Sequence, residues 1–265
     1  MSAGLEPWRV SAYNTAKQSE NKMHDDTVAR RFGFTGGLVP GVEVMAYMMH
    51  LPVQRWGRDF LERGLIEARF LKPVYDGETA TVSGQEIGNG LTLEVGSRGE
   101  LCATGSASLP TRAPSVDLAD YPEVAAAVAR PGIDTSFPLG QRLGTQPVSW
   151  GGAQLRGYLD EIRETDPIYL SNNLIHPGTL QRIMNRVLVD NVVLGPWIHV
   201  GSKMQLLAAA TGDDVLTARA KVVGTYDKKG HRFAEFDALI VANGTTPVAR
   251  CHHVAIVMPR QQAAA

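Results

Sequence analysis

The residues best suited to chemistry lie between positions 19 and 50. Ser19-Glu20-Asn21-Lys22-Met23-His24 places an amide and an imidazole three residues apart. An imidazole changes charge near neutral pH, and an adjacent amide can orient it or a water molecule, so the pair suits proton transfer. Further along, Gly36-Gly37-Leu38-Val39-Pro40-Gly41 leads into an apolar run, 41–50, that predicts a buried helix. The first N–H groups of such a helix have no intrahelical partner and carry the positive end of its dipole, which suits a developing oxyanion. Glu43, Tyr47 and His50 follow at i, i+4 and i+7, on one face of that helix. A carboxylate on a buried helix is costly unless paired or functional, so Glu43 is a candidate base.

The elements that must position these groups occur twice. The string Leu38-Val39-Pro40-Gly41 has a counterpart in Ile175-His176-Pro177-Gly178, and each opens an apolar helical segment, 41–50 and 178–193. After each segment the pattern becomes that of strands, at 65–71, 78–87, 91–97 and 100–109, and again at 197–207, 215–226, 232–242 and 246–258. The breaks correspond: Asp76-Gly77 with Thr211-Gly212, Asn89-Gly90 with Lys229-Gly230, and Arg98-Gly99 with Asn243-Gly244. These are hairpin signals, because Gly and Asn accept positive φ cheaply. Each last strand holds one Cys with a Pro eight residues on, Cys102 to Pro110 and Cys251 to Pro259. A Pro-, Gly- and Ser-rich stretch lies between, with a short helical patch at 123–130. The reading is therefore two similar halves, 1–110 and 150–265, joined by a linker at 111–149. A strand at 8–14 precedes the first helix, and one at 147–153 precedes the second.

Composition excludes several classes. The chain has 265 residues, with Lys+Arg 26 against Asp+Glu 27, so no large basic excess is available for nucleic acid. Two Cys exclude a disulfide framework. No apolar run reaches the length of a membrane span. The opening MSAGLEPWRV lacks a charged-then-apolar signal pattern, so a cytoplasmic location is expected. No phosphate-binding Gly-rich loop appears, and His252-His253 has no partner at metal-ligand spacing. Neither a metal nor a redox cofactor is expected.

A strand, a buried helix and four antiparallel strands, given twice, resemble an α+β double hotdog fold. The Asn21–His24 spacing, the following Ala29-to-Phe34 segment and the helix-opening Gly41 resemble the MaoC-like (R)-specific enoyl-CoA hydratases and dehydratases. The resemblance implies an enzyme acting on an enoyl or 3-hydroxyacyl thioester, with coenzyme A or a carrier as part of the substrate. Gly41 would hold the thioester oxygen, and His24 would handle the proton with Asn21. Where the family has Asp, this sequence has Ser19, which has no carboxylate, so Glu43 is a candidate replacement. Gly37, Val39, Tyr47, Arg69 and Lys72 are candidate substrate contacts, the last two as a basic rim for phosphates. In the second half, Asp166-Pro167-Ile168-Tyr169 sets Tyr169 where His would stand, so that half reads as degenerate. Two alternatives stand beside the hydratase: a thioesterase using Glu43, and a non-catalytic acyl-thioester binder or partner subunit. A homodimer is expected.

Overall fold

The computed structural model describes residues 4–112, 114–133 and 137–260. In the first half, β1 (Trp8–Ser11) is followed by α1 (Asp26–Arg31), α2 (Gly41–Trp56) and α3 (Arg58–Arg63). Then come β2 (Leu65–Phe70), β3 (Thr79–Ile87), β4 (Gly90–Ser97) and β5 (Glu100–Ser108). The second half begins with β6 (Arg142–Gly144), α4 (Ala153–Ile162), α5 (Ile168–Ser171) and α6 (Pro177–Val189). It ends with β7 (Ile198–Leu206), β8 (Leu216–Lys228), β9 (His231–Ala242) and β10 (Thr246–Met258).

All strands form one antiparallel ten-stranded sheet in the order β1-β3-β4-β5-β2-β7-β10-β9-β8-β6. Reading outward from the β2–β7 seam, the two halves repeat the same connectivity. The seam pairs Ile66 with Met204 and Ala68 with Ser202, so each half gives the other a neighbour for a strand that would otherwise be an open edge. β4 alternates buried and accessible residues, with Leu91, Leu93 and Val95 turned inward, as a sheet with one covered face requires. Residues 42–53 of α2 are all buried, because the helix packs on β1 to β5, on β7 and on α6. α6 packs on β8, β9 and β10. The two central helices meet closely at Gly178, where a Cβ would sit 2.7 Å from that of Ala46 and 2.0 Å from the Tyr158 hydroxyl. One continuous hydrophobic core joins both halves.

Three sequence expectations need correction. The patch at 123–130 forms no helix. The strand that precedes the second central helix is Arg142–Gly144, not 147–153; Val148 makes only an isolated bridge to Leu216. The β3–β4 hairpin turns at Gly88-Asn89, one residue earlier than expected, with Ile87 paired to Gly90 and the positive φ of 57° on Gly88. A two-residue loop with Gly first has the type II′ pattern. The other three hairpins place Arg98-Gly99, Lys229-Gly230 and Asn243-Gly244 at positive φ, where the sequence puts them.

Candidate functional site

The site is built at the N-terminus of α2. Pro40 occupies the N-cap position and offers no side-chain acceptor, while its carbonyl accepts from Glu43 N–H and Val44 N–H. The amides of Gly41 and Val42 therefore have no intrahelical acceptor. Of the two, Gly41 lines a cavity of about 310 Å³, together with Asn21, His24, Val39, Phe70, Lys72, Trp197 and His199. The walls are mostly apolar, with Phe34, Leu38, Val44, Val74, Ile198 and Ile256 among them. A mostly apolar cavity with a few convergent polar groups is the usual form of a small-molecule site.

Local structure fixes His24 closely. Asn21 caps a single 3₁₀ turn, Lys22–His24, by accepting from Met23 N–H at 3.2 Å. The same Oδ1 accepts from Trp197 N–H at 3.1 Å, and Asn21 Nδ2 donates to the Trp197 carbonyl at 2.9 Å. Two backbone donors on one side and a carbonyl on the other leave one orientation for the amide. His24 Nδ1 lies 2.7 Å from the Leu38 carbonyl, which can only accept, so Nδ1 carries the proton. In the neutral ring Nε2 then holds the lone pair, 3.3 Å from Asn21 Nδ2. Burial pushes His24 below its ordinary value, against the Leu38 hydrogen bond, so the ring is a neutral proton acceptor near pH 7.

The remaining candidates separate. Val39 and Lys72 line the cavity, with Lys72 ion-paired to Glu100 on the exposed surface. Ser19 does not; its hydroxyl donates to the Asn21 carbonyl at 3.2 Å and supports the turn. Gly37 serves backbone packing: a Cβ there would lie 2.3 Å from the His24 carbonyl oxygen, and its N–H donates to Asp26 Oδ1 at 2.7 Å. Arg69 lies exposed on β2, outside the lining. Tyr47 is fully buried away from the cavity, its hydroxyl accepts from Tyr13 N–H at 3.2 Å, and burial pushes it up to about 12.

Glu43 is one turn along α2 but faces the other central helix. Arg182 Nε donates to its Oε1 at 2.7 Å, Thr15 Oγ1 donates to the same oxygen at 3.0 Å, and the Tyr158 hydroxyl donates to Oε2 at 3.3 Å. Arg182 also donates to Glu161 at 2.7 Å and lies over the Tyr158 ring. Burial raises the Glu43 carboxyl above its usual range, against the pull of Arg182 and Thr15. The carboxylate that the sequence leaves unexplained is thus the paired one, and it locks α2 to α6. No described Asp or Glu lines the cavity.

The second half has closed its own helix N-terminus. His176 is the N-cap of α6, and its Nδ1 accepts from Gly178 N–H at 2.9 Å. Its ring is fully buried between Tyr158 and Tyr169, and burial pushes it down to about 4. Glu164 lies beside it and accepts from His50 Nδ1 at 3.0 Å. What the second half contributes instead is wall. Asn185, Trp197, Ile198, His199, Val200, His231 and Ile256 reach the cavity, carried there because β7 pairs with β2 beside α2. No local sequence signal marks these residues.

Among the described residues no helix is long and apolar enough to cross a membrane, and no group of three or more His, Cys, Asp or Glu is placed to hold a metal ion. No family model matches the sequence, and no curated protein matches it by sequence. Solved structures do match. Rv0216 from Mycobacterium tuberculosis, described as having a double hotdog fold, aligns over 96% of this chain and 96% of its own, with a TM-score of 0.66 and 15% identity. A MaoC domain protein from Chloroflexus aurantiacus, provisionally assigned as a dehydratase, covers 99% of this chain and 96% of its own, with a TM-score of 0.65 and 9% identity. A protein from Lactobacillus plantarum, provisionally assigned as an oleoyl thioesterase, covers 98% of each at a TM-score of 0.53 and 9% identity. Identities this low speak to architecture and not to reaction, and relatives so differently assigned share it. The strand order, the paired central helices and these likenesses agree that the chain has a double hotdog fold, with a cavity at the N-terminus of the first central helix.

Proposed function

We propose that the chain binds an acyl thioester at the N-terminus of α2 and adds water reversibly to a 2-enoyl thioester, the reverse being dehydration of a 3-hydroxyacyl thioester. The observation that carries this is one cavity holding both a neutral, single-tautomer imidazole and an uncapped helix N-terminus. In this reading the thioester oxygen accepts from the Gly41 amide. Water attacks the β-carbon and gives its proton to His24 Nε2. The displaced π electrons move to the thioester oxygen, where the helix terminus stabilises the enolate. The imidazolium then returns its proton to the α-carbon, so that H and OH have added across the double bond. Asn21 holds the ring and the Trp197 backbone in place. The apolar walls suit the acyl chain, and Lys72 at the rim suits a phosphate of the carrier.

The geometry does not favour Glu43 as the base of a thioesterase, because Glu43 neither lines the cavity nor lacks a partner. The binder reading keeps one specific observation in its favour, the absence of a carboxylate from the described cavity lining. A panel of 2-enoyl-CoA substrates separates the readings when enoyl absorbance and free thiol are followed together. Loss of absorbance without thiol, abolished in His24→Ala, is the result expected. Thiol release would replace the hydratase with a thioesterase. Tight binding without either signal would leave a binder.

A further inference from the structure

The cavity contains a second imidazole that the reaction above does not use. His199 enters from β7, is 5% exposed, and lines the cavity. Its Nδ1 lies 3.0 Å from the point a Cβ on Gly41 would occupy, so the ring rests against the first residue of α2 in the space the glycine leaves. That Nδ1 has no hydrogen-bond partner. Nε2 lies 2.8 Å from Ser202 Oγ, which lies 2.9 Å from His253 Nδ1, and the two rings stack at 4.1 Å. His253 is fully buried, and its Nε2 also has no partner.

Burial pushes His199 down to about 3, outweighing the nearby Gly201 carbonyl, and His253 well below its usual value. Both rings are therefore neutral near pH 7, each with one ring proton. The Ser202 hydroxyl has one proton and two lone pairs, so three arrangements are open, and in one of them both rings donate to Oγ, the hydroxyl proton turns to Cys251, and each unpaired nitrogen is a lone pair. If Ser202 donates to His253, His199 holds its proton on Nε2, and the unpaired N–H is on His253 in the closed core. If Ser202 donates to His199 Nε2, His253 donates to Ser202, and the unpaired N–H is on His199 at the cavity. A buried N–H without a partner is the costlier orphan. Only the arrangement in which Ser202 donates to His199 Nε2 puts a donor at the cavity, and a ligand oxygen beside Gly41 would supply the partner that selects it.

We propose that His199 is a ligand-binding residue of this site, its Nδ1–H donating to the oxygen held by the Gly41 amide. This rests on the acyl-thioester reading. A thioester carbonyl has two lone pairs and can take a donor from each half of the chain. Ser202 and His253 are positioning residues that hold the tautomer.

The test uses the intact protein, saturated acyl-CoA thioesters from short to long, and the matching thioethers that lack the carbonyl. NMR of isotopically labelled histidine nitrogens reports which His199 nitrogen carries the proton, without any variant. Calorimetry gives the preference for thioester over thioether. The expected result is a protonated Nδ1 whose signal moves with thioester and not with thioether. The thioester preference should shrink about 3- to 10-fold in His199→Phe and in Ser202→Ala, the range of one neutral hydrogen bond. Thioester binding with an unprotonated Nδ1, or with the preference intact in both variants, overturns the role of His199 and leaves the site reading standing. Binding of neither ligand class to the wild-type protein overturns both.

Discussion

Replacing Asn21 by Asp should raise the pKa of His24, by an amount the structure bounds. The side-chain nitrogen of Asn21 lies 3.3 Å from His24 Nε2. A carboxylate oxygen in its place would attract an imidazolium by about 5 kcal/mol at an effective dielectric constant of about 20, or about 1 kcal/mol in bulk water. At about 1.4 kcal/mol per pKa unit this spans about 1 to 4 units, and measured shifts beside an opposite charge run about 1 to 3. His24 starts below its ordinary value through burial, so the variant should titrate at least a full unit higher than the wild type. NMR titration of the His24 ring measures this directly. The stability profiles should also differ. In the wild type the depressed folded pKa means stability declines as pH falls below the unfolded value of about 6.5. In the variant that acid-side loss shrinks, and a rise large enough to carry the folded pKa above the unfolded value turns it into added stability that is fully present below the unfolded value and lost as pH rises through the folded one. An unchanged or lowered His24 midpoint would show that Nε2 is not directed at Asn21, and the tautomer argument would fail with it.

Other outcomes follow from the same geometry. His24→Ala should reduce hydration turnover by about 100- to 10,000-fold while saturated acyl-CoA binding persists, measured by stopped-flow absorbance and calorimetry. The wild-type rate should rise with pH through a midpoint below the ordinary histidine value and then level off, because only the neutral ring accepts a proton; a midpoint well above it would count against His24 as base. Arg182→Ala leaves Glu43 buried without its charged partner, so denaturant unfolding should show a loss of about 3 kcal/mol or more. Glu43→Gln should lower stability yet keep hydration turnover per folded molecule, whereas a thioesterase using this carboxylate would lose it. Gly37→Ala forces a methyl onto the His24 carbonyl and should both destabilise the protein and weaken ligand binding, seen by thermal unfolding and calorimetry.

The repeat was legible because it lives in local chemistry. Paired Pro-Gly helix starts, alternating strands and Gly-containing hairpins are set by φ preferences and hydrophobic period, which act over a few residues. The same locality made Asn21 and His24 readable, since one turn joins them and puts both on the cavity. Glu43 shows the limit. Its sequence neighbourhood states that a carboxylate lies on a buried helix, and not that Arg182, 139 positions away, neutralises it. Ser19, Arg69 and Tyr47 sit at suitable spacings too, but the turn, the strand face and the helix face respectively keep them out of the cavity lining. The far wall, with Trp197 and His199, was invisible for the same reason. Its place is set by the β2–β7 seam, a pairing between segments more than a hundred residues apart that no local pattern encodes. The sequence by itself thus determined nine of the ten strands, both central helices, their duplication and the half that keeps an open helix start. Which side chains share the cavity, and which charges cancel in the core, was decided only when long-range strand pairing and helix contact brought the halves together.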